Sequence, residues 1–144
     1  MTIVACNPFS KSWEKIYEDQ QILFNENRQI FNSSVIEINT TKLSDTTVKL
    51  TDKNLNLSDT LIFKLKKLGI ANIYISKTSC SINEIRFIPD SLWDFDRFLI
   101  CEIQFNKCDE RNKKGFHWTL KGSEHKHSFG QGDGWLIYTD SDKL

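Results

Sequence analysis

Apolar side chains return every three or four positions over residues 7–34, as one face of an amphipathic helix requires. The positions on this stripe and beside it are Trp13, Ile16, Tyr17, Leu23, Phe24, Ile30 and Phe31. Gln20 and Asn27 interrupt the stripe, and the pair Ser33 and Ser34 suits a helix end. The pattern predicts a helix over 7–34 whose aromatic stripe belongs to the core and not to a cofactor site.

The middle of the chain predicts two short strands and a second helix. "VIEI" and "TVKLT" have strand composition, and a stretch rich in turn formers separates them. In "SDTLIFKLKKLG", Ser58 fits a helix N-cap and Gly69 fits the position just past a helix end. We therefore expect a helix from about Ser58 to Gly69.

After Gly69 the apolar positions alternate with a period of two, which indicates strands. The predicted strands are "IANIYIS", "NEIRFIP", "RFLICEIQF", "GFHWTLK", "EHKHSF" and "WLIYTD", with the third one central because it is long and apolar. Helices followed by strands predict an α+β fold. We expect one domain over 1–144, in which one or two N-terminal helices pack on an antiparallel sheet of about five strands that ends in a β-meander.

Composition narrows the classes of protein that fit. The 144 residues carry 19 basic and 19 acidic side chains, so the basic excess typical of a nucleic-acid binder is missing, and no direct nucleic-acid contact is expected. No apolar run approaches the ~20 residues of a membrane span. None of the four cysteines forms a CxxC pair, which favours reduced thiols in a cytoplasmic protein. "IVAC", ending at Cys6, resembles a lipobox, but only five residues precede it, and we interpret it as chance.

The stretch "GSEHKHSFGQGDGW" raises the question of a metal or phosphate site. Gly122 followed by Ser123 predicts a two-residue type II′ hairpin, which would pair Trp118 with His127. In that register His125 and His127 share the face of Trp118, and His117 points to the other face. A catalytic zinc site needs three protein ligands, so we predict no metal and no cofactor.

The glycines of "GQGDG" precede a predicted strand, whereas a phosphate loop precedes a helix. They are therefore expected to form a hairpin connection.

The segment "IPDSLWDFDRF" between two predicted strands places a tryptophan among three carboxylates. An aromatic anchor surrounded by charge is typical of a protein-binding hot spot. The alternative interpretation buries the aromatic side chains in the core and leaves the aspartates in water. The predicted partner-binding residues are Asp90, Trp93, Asp94 and Asp96, with His125 and His127 as a second patch.

The C-terminal third, with "GFHWTLKG" and then "GDGWLIYTD" after a helical N-terminal part, resembles immunity proteins of bacterial toxin systems, including contact-dependent growth inhibition. The resemblance implies a small cytoplasmic α+β domain that binds one cognate protein toxin and blocks its active site or substrate surface. A toxin with a nuclease domain is one candidate partner. The resemblance assigns no role to single residues, because immunity proteins share no fixed binding motif.

The sequence thus favours a non-catalytic protein-binding module, most simply an immunity or inhibitor protein. The alternative is a small hydrolase or nuclease that uses His117, His125 and His127 as acids and bases. It requires these histidines to approach one another, contrary to the predicted register. A third alternative, a small-ligand domain, requires a pocket lined by the many phenylalanines.

Overall fold

The computed structural model describes residues 13–77, 83–90, 100–119 and 126–140, which form three α-helices and one antiparallel sheet. The helices are α1 (Trp13–Glu26), α2 (Arg28–Ile38) and α3 (Asp59–Lys67). The strands are β1 (Thr46–Lys49), β2 (Ile70–Lys77), β3 (Asn83–Pro89), β4 (Ile100–Phe105), β5 (His117–Thr119), β6 (Lys126–Gly132) and β7 (Trp135–Asp140). The predicted α+β class is confirmed, with seven strands in place of about five.

The strands lie in the order β1-β2-β3-β4-β7-β6-β5, and every neighbouring pair is antiparallel. β4 is the middle strand, as its apolar sequence predicts. After β4 the chain passes through a 3-10 helix at Glu110–Asn112 to β5 at the sheet edge, and then returns through β6 to β7. The last strand of the chain therefore lies beside the central one.

The predicted N-terminal helix is two helices, with Asn27 between them at φ −126° and ψ 22°. Its side-chain amide donates to the carbonyl of Leu23 at 2.9 Å. The prediction of a strand at "VIEI" is wrong, because α2 continues to Ile38. Val35 and Ile38 extend the buried face that Phe31 begins, and this burial overrides the β-branched preference for strands.

The second predicted helix is confirmed as α3. The Ser58 hydroxyl accepts from the backbone N–H of Leu61 at 3.4 Å, and Gly69 follows the helix at φ 85°. Leu61 and Leu65 are its buried side chains. None of the described helices combines the length and apolar content that a membrane span requires.

All three α-helices pack on one face of the sheet, which we call the helix-covered face. Trp135 lies at its centre and is 1% exposed. The rings of Phe24, Phe31, Phe87 and Phe105 surround the Trp135 ring, with centroids 4.9–6.0 Å from it. Because side chains alternate along each strand, the neighbours of the core residues point to the opposite side, which we call the second face.

The β6–β7 connection is a two-residue turn, since Gly132 pairs with Trp135. Asp133 and Gly134 both have positive φ, 56° and 93°, as a type I′ turn requires. The prediction that the glycine-rich stretch is a hairpin connection is confirmed.

The cysteines differ in state. Cys101 is a free, buried thiol of β4, and burial raises its pKa. Cys108, in the loop after β4, is part of a disulfide bond. The expectation of reduced thiols is therefore wrong for Cys108, since spacing along a sequence does not reveal which cysteines fold close together.

Candidate functional site

The register of β5 and β6 differs by one residue from the predicted one. His117 pairs with Phe129 and Thr119 with His127, whereas the type II′ turn would pair Trp118 with His127. A shift of one residue turns every β5 side chain to the opposite face. The predicted register is therefore wrong, and so is the prediction that His117 and His127 point to opposite faces.

The two histidines meet on the helix-covered face, near its β5 edge. Nε2 of His117 lies 2.9 Å from Nδ1 of His127, so one ring donates a proton that the other accepts. The Thr119 hydroxyl is 3.4 Å from each of these nitrogens. His127 is 6% exposed, while His117 is exposed. In this pair the His117 imidazole is open to solvent, and the His127 imidazole lies behind it.

A stack of rings supports this pair from the sheet and from α1. The His117 ring lies on Phe129 with centroids 4.5 Å apart, and Tyr17 of α1 stacks on Phe129 at 3.8 Å. Gln131 donates to the Tyr17 hydroxyl at 3.2 Å. The orientation of the His117 ring is thus set by aromatic contacts that begin in α1.

Partial desolvation against the sheet, followed by the charge on His127, lowers the pKa of His117 from its ordinary value of 6.5. At neutral pH the exposed imidazole is therefore mostly uncharged, and it can accept a proton as a general base would. Among the described residues, no group of three or more histidine, cysteine or carboxylate side chains could hold a metal ion.

The second face carries polar and aromatic side chains across five strands. They are Arg86 of β3, Glu102 and Gln104 of β4, Tyr138 and Asp140 of β7, Ser128 and Lys126 of β6, and Trp118 of β5. A hollow of about 300 Å³ lies on this face. The described residues that line it are Arg86, Gln104, Arg111, Trp118, Lys126 and Tyr138. We call it the cationic hollow.

Arg111 reaches the cationic hollow from the 3-10 helix between β4 and β5. Its Nε donates to both carboxylate oxygens of Asp109, at 2.9 and 3.0 Å, and its Nη1 donates to the Ser128 hydroxyl at 3.3 Å. The guanidinium carbon lies 4.9 Å from the centre of the Trp118 ring. Burial opposes ionisation of Asp109, but its hydrogen bonds with Arg111 outweigh burial and lower its pKa.

Two acidic groups of the second face are harder to ionise than usual. Burial raises the pKa of Glu102, although a hydrogen bond from Gln104 at 2.9 Å and the charge of Arg86 act against it. Burial, followed by the charges of Asp140 and Glu102, raises the pKa of Tyr138 to about 12. The Tyr138 hydroxyl therefore stays protonated over the whole physiological range.

The sequence carried a signal for the second face that our predictions did not use. In "NEIRF" and "CEIQF", and in the second half of "WLIYTD", polar or hydrogen-bonding side chains stand at every second position. Such alternation predicts a polar face but does not predict which cations meet. Arg111 lies in the 3-10 helix between β4 and β5. The alternation of residues along the strands therefore does not predict its position.

The described residues include two of the six predicted partner-binding residues. Asp90 is exposed, follows the end of β3, and its backbone N–H donates to the Gly69 carbonyl at 2.7 Å. His127 is buried in the histidine pair. The other four, Trp93, Asp94, Asp96 and His125, lie outside the described residues. The prediction that His127 shares a face with Trp118 is wrong, since His127 pairs with Thr119 and the side chains of His127 and Trp118 lie on opposite faces.

A pocket of about 610 Å³ lies between α1 and β6. Phe116 and Phe129 are the phenylalanines among its described lining residues, and Gln21, Asn25 and Arg28 are among the polar ones. Arg28 donates from Nη2 to the Gln131 carbonyl at 2.7 Å. This polar lining is not the phenylalanine-lined pocket that a small-ligand domain requires.

No family model, no curated protein and no solved structure matches this chain.

Proposed function

We propose that this protein is a non-catalytic protein-binding module that binds and neutralises a cognate bacterial toxin in the cytoplasm. The observation that carries the proposal is the composition of the second face. Trp118 and Tyr138 are half-buried there, next to Arg86 and Arg111. Tryptophan, tyrosine and arginine are the residues that most often dominate the binding energy of an interface.

The geometry of these side chains supports the same proposal. Trp118 is held by the Arg111 guanidinium 4.9 Å from its ring centre, and Arg86 lies 4.7 Å from the centre of the Tyr74 ring. Side chains that are already ordered lose little conformational entropy when a partner binds. All three α-helices pack on the opposite face, so a partner reaches these groups without displacing a described α-helix.

The segment "IPDSLWDFDRF", which starts at the end of β3, is the second part of the proposed interface. Asp90 follows β3, and His127 is the second residue of β6, with β4 and β7 between these antiparallel strands. Both residues are therefore at the same end of the sheet, about 14 Å apart at the usual strand spacing. We propose that Trp93, Asp94, Asp96 and His125 contribute contacts with the toxin at this end.

The test starts from capture of the partner with the purified chain as bait in a lysate of the native source. We expect to capture one dominant protein, and we expect coexpression of this chain to abolish the toxicity of that protein. Replacing Trp93 and Asp94 by alanine should weaken binding strongly, and unchanged affinity would remove the loop from the interface. If the chain captures no protein, or captures one that it does not neutralise, the proposed function is wrong.

The histidine pair favours a second candidate function, a small hydrolase or nuclease. Two imidazoles 2.9 Å apart can act as a proton donor and acceptor, with His117 facing the substrate and His127 holding it in place. His125, the third histidine of this hypothesis, lies outside the described residues. The purified chain would cleave RNA or an ester substrate, and His117→Ala would abolish the cleavage. Absence of any cleavage by the wild-type chain would reject this candidate.

The Cys108 disulfide tests the cytoplasmic part of the proposal. Disulfides persist in oxidising compartments and are rare in the cytosol. Cells of the native source should be lysed with a thiol-alkylating reagent, and the mass of the peptide that contains Cys108 should be measured. An alkylated Cys108 agrees with the cytoplasm, whereas an intact disulfide would place the protein outside it.

A further inference from the structure

We propose that the cationic hollow receives the carboxylate of a single aspartate or glutamate side chain of the protein partner. This inference rests on the proposed function, and it names the chemistry that the second face recognises. Three cations from three different elements line the hollow: Arg86 of β3, Lys126 of β6 and Arg111 of the 3-10 helix Glu110–Asn112. No carboxylate is among the described lining residues.

The cations keep hydrogen-bonding capacity that the described residues do not use. Arg86 donates from Nε to Glu84 at 2.7 Å, and its Nη groups have no acceptor among the described residues. The Nζ of Lys126 is 3.7 Å from the nearest Asp140 oxygen, which is longer than a hydrogen bond. A guanidinium has five N–H donors and an ammonium has three, so a carboxylate in the hollow would find several donors.

Nearby carboxylates explain why the expected ligand carries one negative charge. Glu84, Asp109 and Asp140 each pair with one of the three cations, and Glu102 lies on the same face beside Gln104. Each of the three basic groups therefore has one carboxylate beside it, and Glu102 is a fourth acidic group on this face. These carboxylates repel a dianionic phosphate about twice as strongly as a single carboxylate, which still gains charge-assisted hydrogen bonds from the cations.

The walls of the hollow suit a side chain with a short apolar stem. Trp118 and Tyr138 are its aromatic residues, and Gln104 lies on its floor with 7% exposure. The hollow of about 300 Å³ is at the lower limit of the volumes found for small-molecule sites. One acidic side chain from a protein surface fits this volume, with its methylene groups against the rings and its oxygens toward the cations.

The first experiment titrates the ¹⁵N-labelled chain with N-acetyl-glutamate α-amide, which offers one side-chain carboxylate, and follows the indole N–H of Trp118 by NMR. The neutral N-acetyl-glutamine amide and inorganic phosphate serve as comparison probes. We expect a saturable shift with the glutamate probe in the millimolar range and none with the glutamine probe. Tighter binding of phosphate, or no saturable shift with the glutamate probe, would overturn the proposal.

Matched variants connect this binding to the hollow. Arg86→Gln and Lys126→Gln should each weaken binding of the glutamate probe by about tenfold, and Arg86→Lys should retain part of it. Lys64→Gln, on the exposed side of α3, should leave it unchanged. A variant that loses the dispersed amide spectrum is replaced by its conservative counterpart. Equal weakening by Lys64→Gln would show that the probe responds to net charge alone, and would overturn the proposal.

The captured partner provides the second readout. If Arg86→Gln weakens probe binding but leaves partner affinity unchanged, the carboxylate inference is wrong and the proposed function stands. If no partner is captured, the proposed function fails, while the probe titration still decides whether the hollow binds a carboxylate. If partner affinity falls with Arg86→Gln, a scan of acidic residues on the partner should find one whose change to the amide has the same effect.

Discussion

The two faces of the sheet are made by the same strands but are held in different ways. On the helix-covered face, aromatic and aliphatic side chains meet helices and are removed from water. On the second face, half-exposed cations meet carboxylates and rings. Arg86 is 38% exposed and its partner Glu84 is 17% exposed, and such ion pairs contribute little to stability. The stability of the fold therefore depends on the helix-covered face, and the side chains of the second face are available for binding a partner.

The two faces also differ in how uniform the polarity of their side chains is across the sheet. The helix-covered face is apolar over β2, β3 and β4, and becomes polar at β5 and β6, where His127 pairs with Thr119 and Thr139. The second face carries polar side chains on every strand from β3 to β5, although Leu136 of β7 is buried among them. The histidine pair is therefore a polar margin of the core, whereas the cationic hollow belongs to a continuous surface. This difference is our reason to place partner binding on the second face.

The largest expected effect is on the helix-covered face. Trp135→Ala removes a ring that contacts four phenylalanines and an indole N–H that donates to Asn32 at 2.9 Å. The free energy of unfolding should fall by about 3–5 kcal/mol, measured by urea denaturation. Ile36→Ala, at a side chain 70% exposed in α2, is the control and should change it little. Equal losses would contradict the division between core and surface.

A smaller loss is expected where the loop before β5 crosses the second face. A methyl group on Gly130 would clash with the backbone oxygens of Lys113 and Arg111. Gly130→Ala should lower the free energy of unfolding by about 1–3 kcal/mol and move Arg111 away from Trp118. Urea denaturation gives the first quantity, and the Trp118 indole resonance reports the second. An unchanged resonance would mean that the loop does not position Arg111.

The second face should also give a pH dependence of opposite sign to that of ordinary surface carboxylates. The pKa of Glu102 is raised above 4.5, so the folded chain binds more protons than the unfolded chain as pH rises past that value. Stability should therefore fall through this window. Glu102→Gln should remove the fall, which urea midpoints measured across the window will show. If the urea midpoint of the wild-type chain rose as pH passed through this window, and that of Glu102→Gln did not, the burial of Glu102 would be contradicted.

The smallest effect belongs to the histidine pair. The pKa of His117 is lowered below 6.5, so below that pH the unfolded chain binds more protons than the folded one, and stability falls as pH decreases. His117→Gln should remove this contribution from the urea midpoints, and the effect should be small because His117 is exposed. A larger acid loss in His117→Gln than in wild type would contradict this account.

The sequence predicted the elements whose pattern of apolar positions follows from burial. It did not predict features that depend on contacts between residues far apart in the chain. α3, the strands and the β6–β7 turn follow from local alternation, caps and glycines. The break at Asn27 interrupted a visible stripe, yet the continuation of α2 to Ile38 depends on tertiary burial. In the observed β5 register Trp118 lies on the second face, 4.9 Å from the Arg111 guanidinium, which belongs to the 3-10 helix between β4 and β5. No local pattern in "GFHWTLKGSEHKHSF" contains that contact.

The most direct test of the account compares one aromatic side chain from each side of the molecule in binding to the captured partner. Trp118→Ala alters the second face, and Phe63→Ala alters a side chain of α3 that is 59% exposed. We predict that Trp118→Ala weakens binding by about 2 kcal/mol or more, measured by isothermal titration calorimetry, and that Phe63→Ala leaves the affinity unchanged. Unchanged affinity for Trp118→Ala, with a loss for Phe63→Ala, would contradict it and place the partner on the helices.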